Sequence, residues 1–294
     1  MAAVKGPGVV SAPGAVAVEP ARRRVRVRVD DVWVADSEAV LLLFEHGFTP
    51  RWYFPLADVR TDLLTPNGHV TDTLGRGQAH WYDLAIPGGR TVVDAAWSHP
   101  SPPPECPPLD GYVSFEWNLM SAWFEEDDEI IVHPRDPYTR VDVLRSSRHV
   151  VVALDGVVLA ETRHPLVLLE TGAPTRYYLP AADVDASRLM PSDSFTWCPY
   201  KGRATYRHVR MGNTVYRDLF WTYEEPLREV ERIAGHLCPF NEFLDITVDG
   251  VLQERPVSKW AFGGPNAYTF RPGDDAWDPT VAVDWNGDDP GVHR

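Results

Sequence analysis

The chain has 294 residues, a length that suits about two domains of ordinary size, with 44% hydrophobic and 24% charged residues, the proportions of a soluble globular protein. Its formal net charge of -14 repels phosphate backbones and excludes sequence-independent nucleic-acid binding outside a local basic patch. No run approaches the ~18 apolar residues of a membrane span, and three cysteines without paired spacing do not make a disulfide framework but suit a reducing cytoplasm.

In chain order, residues 1–21 are apolar but repeatedly broken by Gly and Pro, which predicts a disordered tail rather than a signal peptide. Arg22, Arg23, Arg24, Arg26 and Arg28 form the basic cluster of the chain; from Arg24 they alternate with Val25, Val27 and Val29, the pattern of one polar strand face. No nucleic-acid or membrane partner is expected.

The chain repeats itself. A shift of 125 residues lays Val25–Tyr82 on Val150–Arg207 without a gap, with 20 of 58 positions identical, so two copies of one unit are expected. Asp30, Glu45, Gly47, Arg51, Tyr53 and Pro55 fall on Asp155, Glu170, Gly172, Arg176, Tyr178 and Pro180. One extra residue near Gly88 changes the offset to 124, after which Trp97 meets Trp221 and Gly111 meets Gly235. The boundaries read as a first copy over 22–132, a linker over 133–146, a second copy over 147–262 and an irregular tail over 263–294.

Each copy reads as mostly strand. In the second, Asp155-Gly156 and Asp249-Gly250 are hairpin-turn signals, and Met211-Gly212-Asn213 separates two more strands. Pro226 opens the one predicted helix, with Leu227, Val230, Ile233 and Ala234 as its apolar stripe and Gly235 as its stop. The first copy is too proline-rich over 100–108 for the matching helix. Its acidic run Glu125–Glu129 reads first as a solvated turn and second as a cation site. Asp284, Asn286, Asp288 and Asp289 imitate the start of a calcium loop but lack its closing Glu.

The copies diverge most at one loop. The second has Thr196-Trp197-Cys198-Pro199-Tyr200-Lys201-Gly202; the first has Thr71-Asp72-Thr73-Leu74-Gly75-Arg76-Gly77. A thiol in one copy is a hydroxyl in the other, and a Lys is an Arg. The run Cys-Pro-Tyr-Lys-Gly at 198–202 resembles the signature of the family labelled domain of unknown function 427. So do Glu170-Thr171-Gly172, Thr175-Arg176-Tyr177-Tyr178-Leu179-Pro180 and Trp221-Thr222-Tyr223 with Pro226, and the bridge His133–Tyr138 with Arg140-Val141-Asp142 resembles two-copy actinobacterial members. The resemblance covers residues 22–260, more loosely in the first copy. It implies a mainly β chain of two tandem β-tent-like domains built of short coiled sheets, here with a short helix in the second copy. Relatives of that fold hold zinc through paired Cys-x-x-Cys motifs; none is present, so neither metal nor cofactor is expected. The family sometimes carries a nucleotidyltransferase label, a chemistry that needs clustered carboxylates for Mg²⁺; the sequence shows no Gly-Ser turn followed by Asp-x-Asp.

Candidate residues follow from the motif-bearing copy. Lys201 beside Cys198 would favour the thiolate, or Cys198 is a small buried hydrophobe and Lys201 reaches a carboxylate such as Glu170. Arg176 could clamp a carboxylate or phosphate, or pair internally with Glu170 or Asp183. Tyr178, Trp197, Trp221 and Tyr223 are pocket walls or core aromatics. His236 and His208 are hydrogen-bonded structural groups or a general base. The leading expectation is a cytoplasmic enzyme for a small polar or anionic metabolite, with Cys198, Lys201, Glu170 and His236 in chemical roles and Arg176, Tyr178, Tyr223, Trp221 and Trp197 binding the ligand. The first copy would be its degenerate partner. The alternatives are a non-catalytic small-ligand-binding module and a structural or partner-binding protein; no oligomeric state follows from the sequence.

Overall fold

The computed structural model describes residues 13–45 and 48–258. The tail over 263–294, the calcium-loop imitation at 284–289 and most of the N-terminal tail lie outside them. Contacts divide the chain into two units after Asp136.

Unit one holds eleven described strands: β1 Val16–Pro20, β2 Val25–Val29, β3 Val32–Ser37, β4 Leu41–Glu45, β5 Arg51–Pro55, β6 Leu64–Thr73, β7 Gly77–Ile86, β8 Arg90–Ser98, β9 Tyr112–Phe115, β10 Ala122–Glu125 and β11 Asp128–Ile130. They form a seven-stranded sheet in the order β1-β4-β5-β9-β8-β7-β6 and a four-stranded sheet β11-β10-β2-β3. Val25, Val27 and Val29 are fully buried while the arginines between them face outward. The arginines of this strand region are paired: Arg24 with Asp36, Arg26 with Asp127 of the acidic run, and Arg28 with Asp31. The run is therefore the β10–β11 turn, except that Glu125 is buried and held by Arg23 and Arg135.

Unit two repeats the plan with β12 Val141–Arg145, β13 Val150–Leu154, β14 Val157–Thr162, β15 Leu166–Glu170, β16 Arg176–Tyr178, β17 Leu189–Cys198, β18 Gly202–Met211, β19 Thr214–Thr222, β20 Cys238–Pro239, β21 Asp245–Val248 and β22 Val251–Leu252. The large sheet of unit one is here two sheets, β12-β15-β16 and β17-β18-β19-β20, bridged by Leu179 and Leu237; β14-β13-β21-β22 is the third. Asp155-Gly156 and Asp249-Gly250 both have positive φ, as the tight hairpin turn requires. Two apolar clusters fill this unit, one around Val150, Leu179, Phe220 and Ile246, the other around Leu168, Tyr178, Trp221 and Ile233.

Three expectations are corrected. Val16–Pro20, placed in the tail, are strand β1 and pair with β4. Val141–Arg145, placed in the linker, are its equivalent β12 and pair with β15. The helix after Pro226 is 3-10 turns over Arg228–Ile233, interrupted at Val230 where φ is -123°. Leu227, Val230 and Ile233 are three apart, the period of a 3-10 turn rather than of an α-helix. Cys106, within the proline-rich stretch of the first copy, is buried beside Leu43, Tyr53 and Leu109. Among the described residues no helix is long and apolar enough to cross a membrane.

Unit one also buries His99. Its Nδ1 lies 3.2 Å from the Gln78 carbonyl and donates to it, while Nε2 has no partner. Burial, aided by the Arg76 guanidinium, lowers its pKa to about 4. The unfolded chain binds a proton near pH 6.5 that the folded unit refuses, so stability falls as pH drops from about 6.5 toward 4. Denaturant titrations at pH 7 and pH 5 should show this loss, and His99→Tyr, the residue of unit two, should reduce it.

Candidate functional site

The loop that separates the copies closes the β17–β18 hairpin. Cys198 is the last residue of β17 and pairs with Gly202. Lys201 N–H donates to the Cys198 carbonyl at 3.3 Å, and the Lys201 carbonyl accepts from Leu227 N–H at 3.0 Å. Gly202 has φ +94°, and a Cβ there would stand 3.4 Å from the Glu225 carbonyl oxygen; the turn needs glycine both for its backbone and for this approach. Tied at both ends, the turn sends the Lys201 side chain inward.

There Lys201 Nζ meets Glu170 Oε2 at 2.5 Å, both side chains nearly enclosed. Burial alone would pull the ammonium down. Cys198 and Glu170, both beside it, outweigh burial and hold its pKa above the ordinary lysine value, so Lys201 stays charged. Cys198 is half-buried against a cluster that includes Tyr178, Tyr206, Trp221 and Tyr223. Burial pushes all three phenols up. They are neutral at pH 7 and serve as fixed hydrogen-bonding groups: Trp221 Nε1 donates to Tyr178 Oη at 3.0 Å, and Thr196 Oγ1 and Tyr206 Oη are 2.8 Å apart.

Arg176 belongs to a different pair. Its guanidinium meets Glu242 through two bonds of 2.6 Å and also donates to Asn241 Oδ1. Ser258 Oγ donates to Glu242 at 2.5 Å, and the guanidinium lies over the Trp221 ring at 5.2 Å. Neither Glu170 nor Asp183 is its partner; Asp183 accepts from Thr162 Oγ1. Glu242, Asn241 and Ser258 were missed by sequence reasoning, for a reason visible in the repeat: the first copy has Asn118 at the place of Glu242.

The remaining candidates disperse. Trp197 points away from the cluster, as its neighbours Thr196 and Cys198 alternate with it on β17, and is 37% exposed. His236 is half-buried, its Nδ1 3.1 Å from the Ala234 carbonyl. His208 lies 3.1 Å from buried Asp218. Thus Cys198, Lys201, Glu170, Tyr178 and Tyr223 share one neighbourhood, with Trp221 at its floor between them and Arg176, while Trp197 and His236 stand outside.

Unit one shows which parts are scaffold. Arg76 pairs with Glu45 at 2.8 Å, both buried, as Lys201 pairs with Glu170. Trp97 Nε1 donates to Tyr53 Oη at 3.1 Å, as Trp221 does to Tyr178. Thr73 and His99 replace Cys198 and Tyr223. The cation–carboxylate pair is common to both units; at the hairpin position unit two has the Cys198 thiol where unit one has Thr73, while unit one's own thiol, Cys106, is buried beside Tyr53 and feels the Arg76 guanidinium.

The chain matches the family described as domain of unknown function (DUF427) twice, over residues 17–126 and 142–250. It therefore belongs to that family, as a tandem pair of its domain. None of the curated proteins matches the chain. Among the described residues no group of three or more His, Cys, Asp or Glu side chains is placed to hold a metal ion.

Proposed function

We propose that the protein is an enzyme for a small polar or anionic metabolite, with Cys198 of unit two as its nucleophile. The observation that carries this reading is the difference between the units: the buried cation–carboxylate pair is shared, and unit two places the half-buried Cys198 thiol beside the cation where unit one has Thr73. A fixed ammonium beside sulfur offsets the negative charge that a thiol gathers as it loses its proton and attacks. Glu170 fixes Lys201. Tyr223 and Tyr178 supply neutral donors. Arg176, saturated by Glu242, and His236, held at the Ala234 carbonyl, have no chemical part in this reading.

The other two thiols are poor competitors. Cys106 and Cys238 are buried, and burial pushes both thiols up in pKa. Limiting iodoacetamide on the folded full chain at neutral pH should give a single adduct, mapped to Cys198 by peptide mass spectrometry, and none in Cys198→Thr. An unmodified wild-type chain, or an adduct on Cys106 or Cys238 instead, would refute the assignment.

A further inference from the structure

The units differ at a second place, and here unit one is the one that opens. Arg51 is the equivalent of Arg176 and keeps its position over the ring of the matching tryptophan, 5.5 Å from Trp97. Its carboxylate is gone. The 124-residue offset carries Glu242 to Asn118 and Asn241 to Trp117, and the backbone agrees: Leu119 N–H donates to the Glu116 carbonyl as Phe243 N–H does to Phe240. Among the described residues no carboxylate lies within ion-pair distance of Arg51, in a chain with 42 acidic and 28 basic residues where most arginines described have one.

Tryptophans have replaced smaller groups around the same spot. Trp52 stands for Tyr177 and Trp117 for Asn241. Trp123, paired with Val27, stands for Ile246, paired with Val152. Trp117 and Trp123 are stacked at 4.6 Å with planes 1° apart, and Trp52 lies 5.9 Å from Trp117 and 5.6 Å from Trp123. Together with Arg51, Trp97 and Asn118 these rings line a hollow of about 60 Å3. In unit two the Glu242 carboxylate and Ser258 occupy the corresponding place.

We propose that unit one carries a binding site for a small monocarboxylate, in which the ligand's carboxylate takes the place against Arg51 that Glu242 takes against Arg176. A water needs roughly 10–15 Å3 on this scale, so the hollow holds about four or five non-hydrogen atoms, a carboxylate and the one or two carbons behind it. The planar guanidinium offers two parallel donors to a carboxylate, and its stacking on Trp97 fixes that fork before the ligand arrives. The indoles give the carbons behind the carboxylate an apolar wall. Glu116 also lines the hollow, and its charge disfavours a dianion such as phosphate. This site is separate from Cys198 and does not depend on the thiol.

The test uses the full chain and two probes of one shape that fit the hollow, sodium propionate and its neutral amide, followed by tryptophan fluorescence and calorimetry. Propionate should bind saturably, and the amide at least about tenfold more weakly. Asn118→Glu rebuilds the pair of unit two and should abolish binding while the thermal midpoint holds or rises; Arg51→Met should lose binding at least about tenfold; Cys198→Thr should bind as the wild type does. Absence of saturable propionate binding up to about 10 mM, equal affinity for acid and amide, or unchanged affinity in Asn118→Glu or in Arg51→Met would overturn the proposal.

Discussion

Replacing Glu242 by alanine should destabilise unit two by about 3–5 kcal/mol, because it leaves the Arg176 guanidinium charged and unpaired in the interior. Arg176 is 6% exposed and the Glu242 side chain 1%. Two 2.6 Å bonds join them, Ser258 satisfies a further lone pair of the carboxylate and Asn241 a further donor of the guanidinium. Burial works against the Glu242 carboxylate, but the Arg176 bond and charge outweigh it and hold its pKa below the ordinary value. The stabilisation is therefore present above about pH 4.5 and is lost as pH falls through the depressed value. Removing both partners together should cost much less than removing one: Arg176→Met with Glu242→Leu leaves no stranded charge. Urea unfolding of the two single variants and the double variant measures this. Single variants within about 1 kcal/mol of the wild type would show a pair solvated rather than buried.

The second large effect concerns Lys201. Lys201→Met removes the cation that neutralises Glu170 and should destabilise unit two by about 3 kcal/mol. Lys201→Arg should be tolerated, because unit one already packs Arg76 against Glu45 in the same place. Thermal unfolding of both variants separates a requirement for charge from a requirement for shape. Equal losses in the two would mean that the ammonium's size, not its charge, is what the site needs.

Much of this fold is written in local signals. The Asp-Gly turns, the alternation of Val25, Val27 and Val29 and the 125-residue repeat are each visible without knowing what touches what. The two strands missed, β1 and β12, each add five residues to their copy and share Val16/Val141 and Val18/Val143. Their surroundings, rich in Gly and Pro for one and in Ser and Arg for the other, hid that alternation. The helix was misread because a stripe at 227, 230, 233 and 234 is compatible with two helical periods over so short a stretch. At the site, Glu170 and Lys201 could be paired from the repeat alone, since both copies keep an acid and a base at those positions. Glu242 could not, because 66 residues separate it from Arg176 and the first copy offers an amide instead. Trp52, Trp117 and Trp123 were equally silent, being far apart in sequence and without aromatic counterparts that share their place, apart from Tyr177.

The assignment of Cys198 as nucleophile rests on its neighbour, so the most direct measurement is the rate at which Cys198 is alkylated by iodoacetamide at pH 7 in the folded wild type, Lys201→Arg and Lys201→Met. Wild type and Lys201→Arg should react at similar rates, and Lys201→Met about tenfold more slowly. A folded Lys201→Met chain that is alkylated at Cys198 as fast as the wild type would contradict it, for the ammonium would then have no influence on the sulfur.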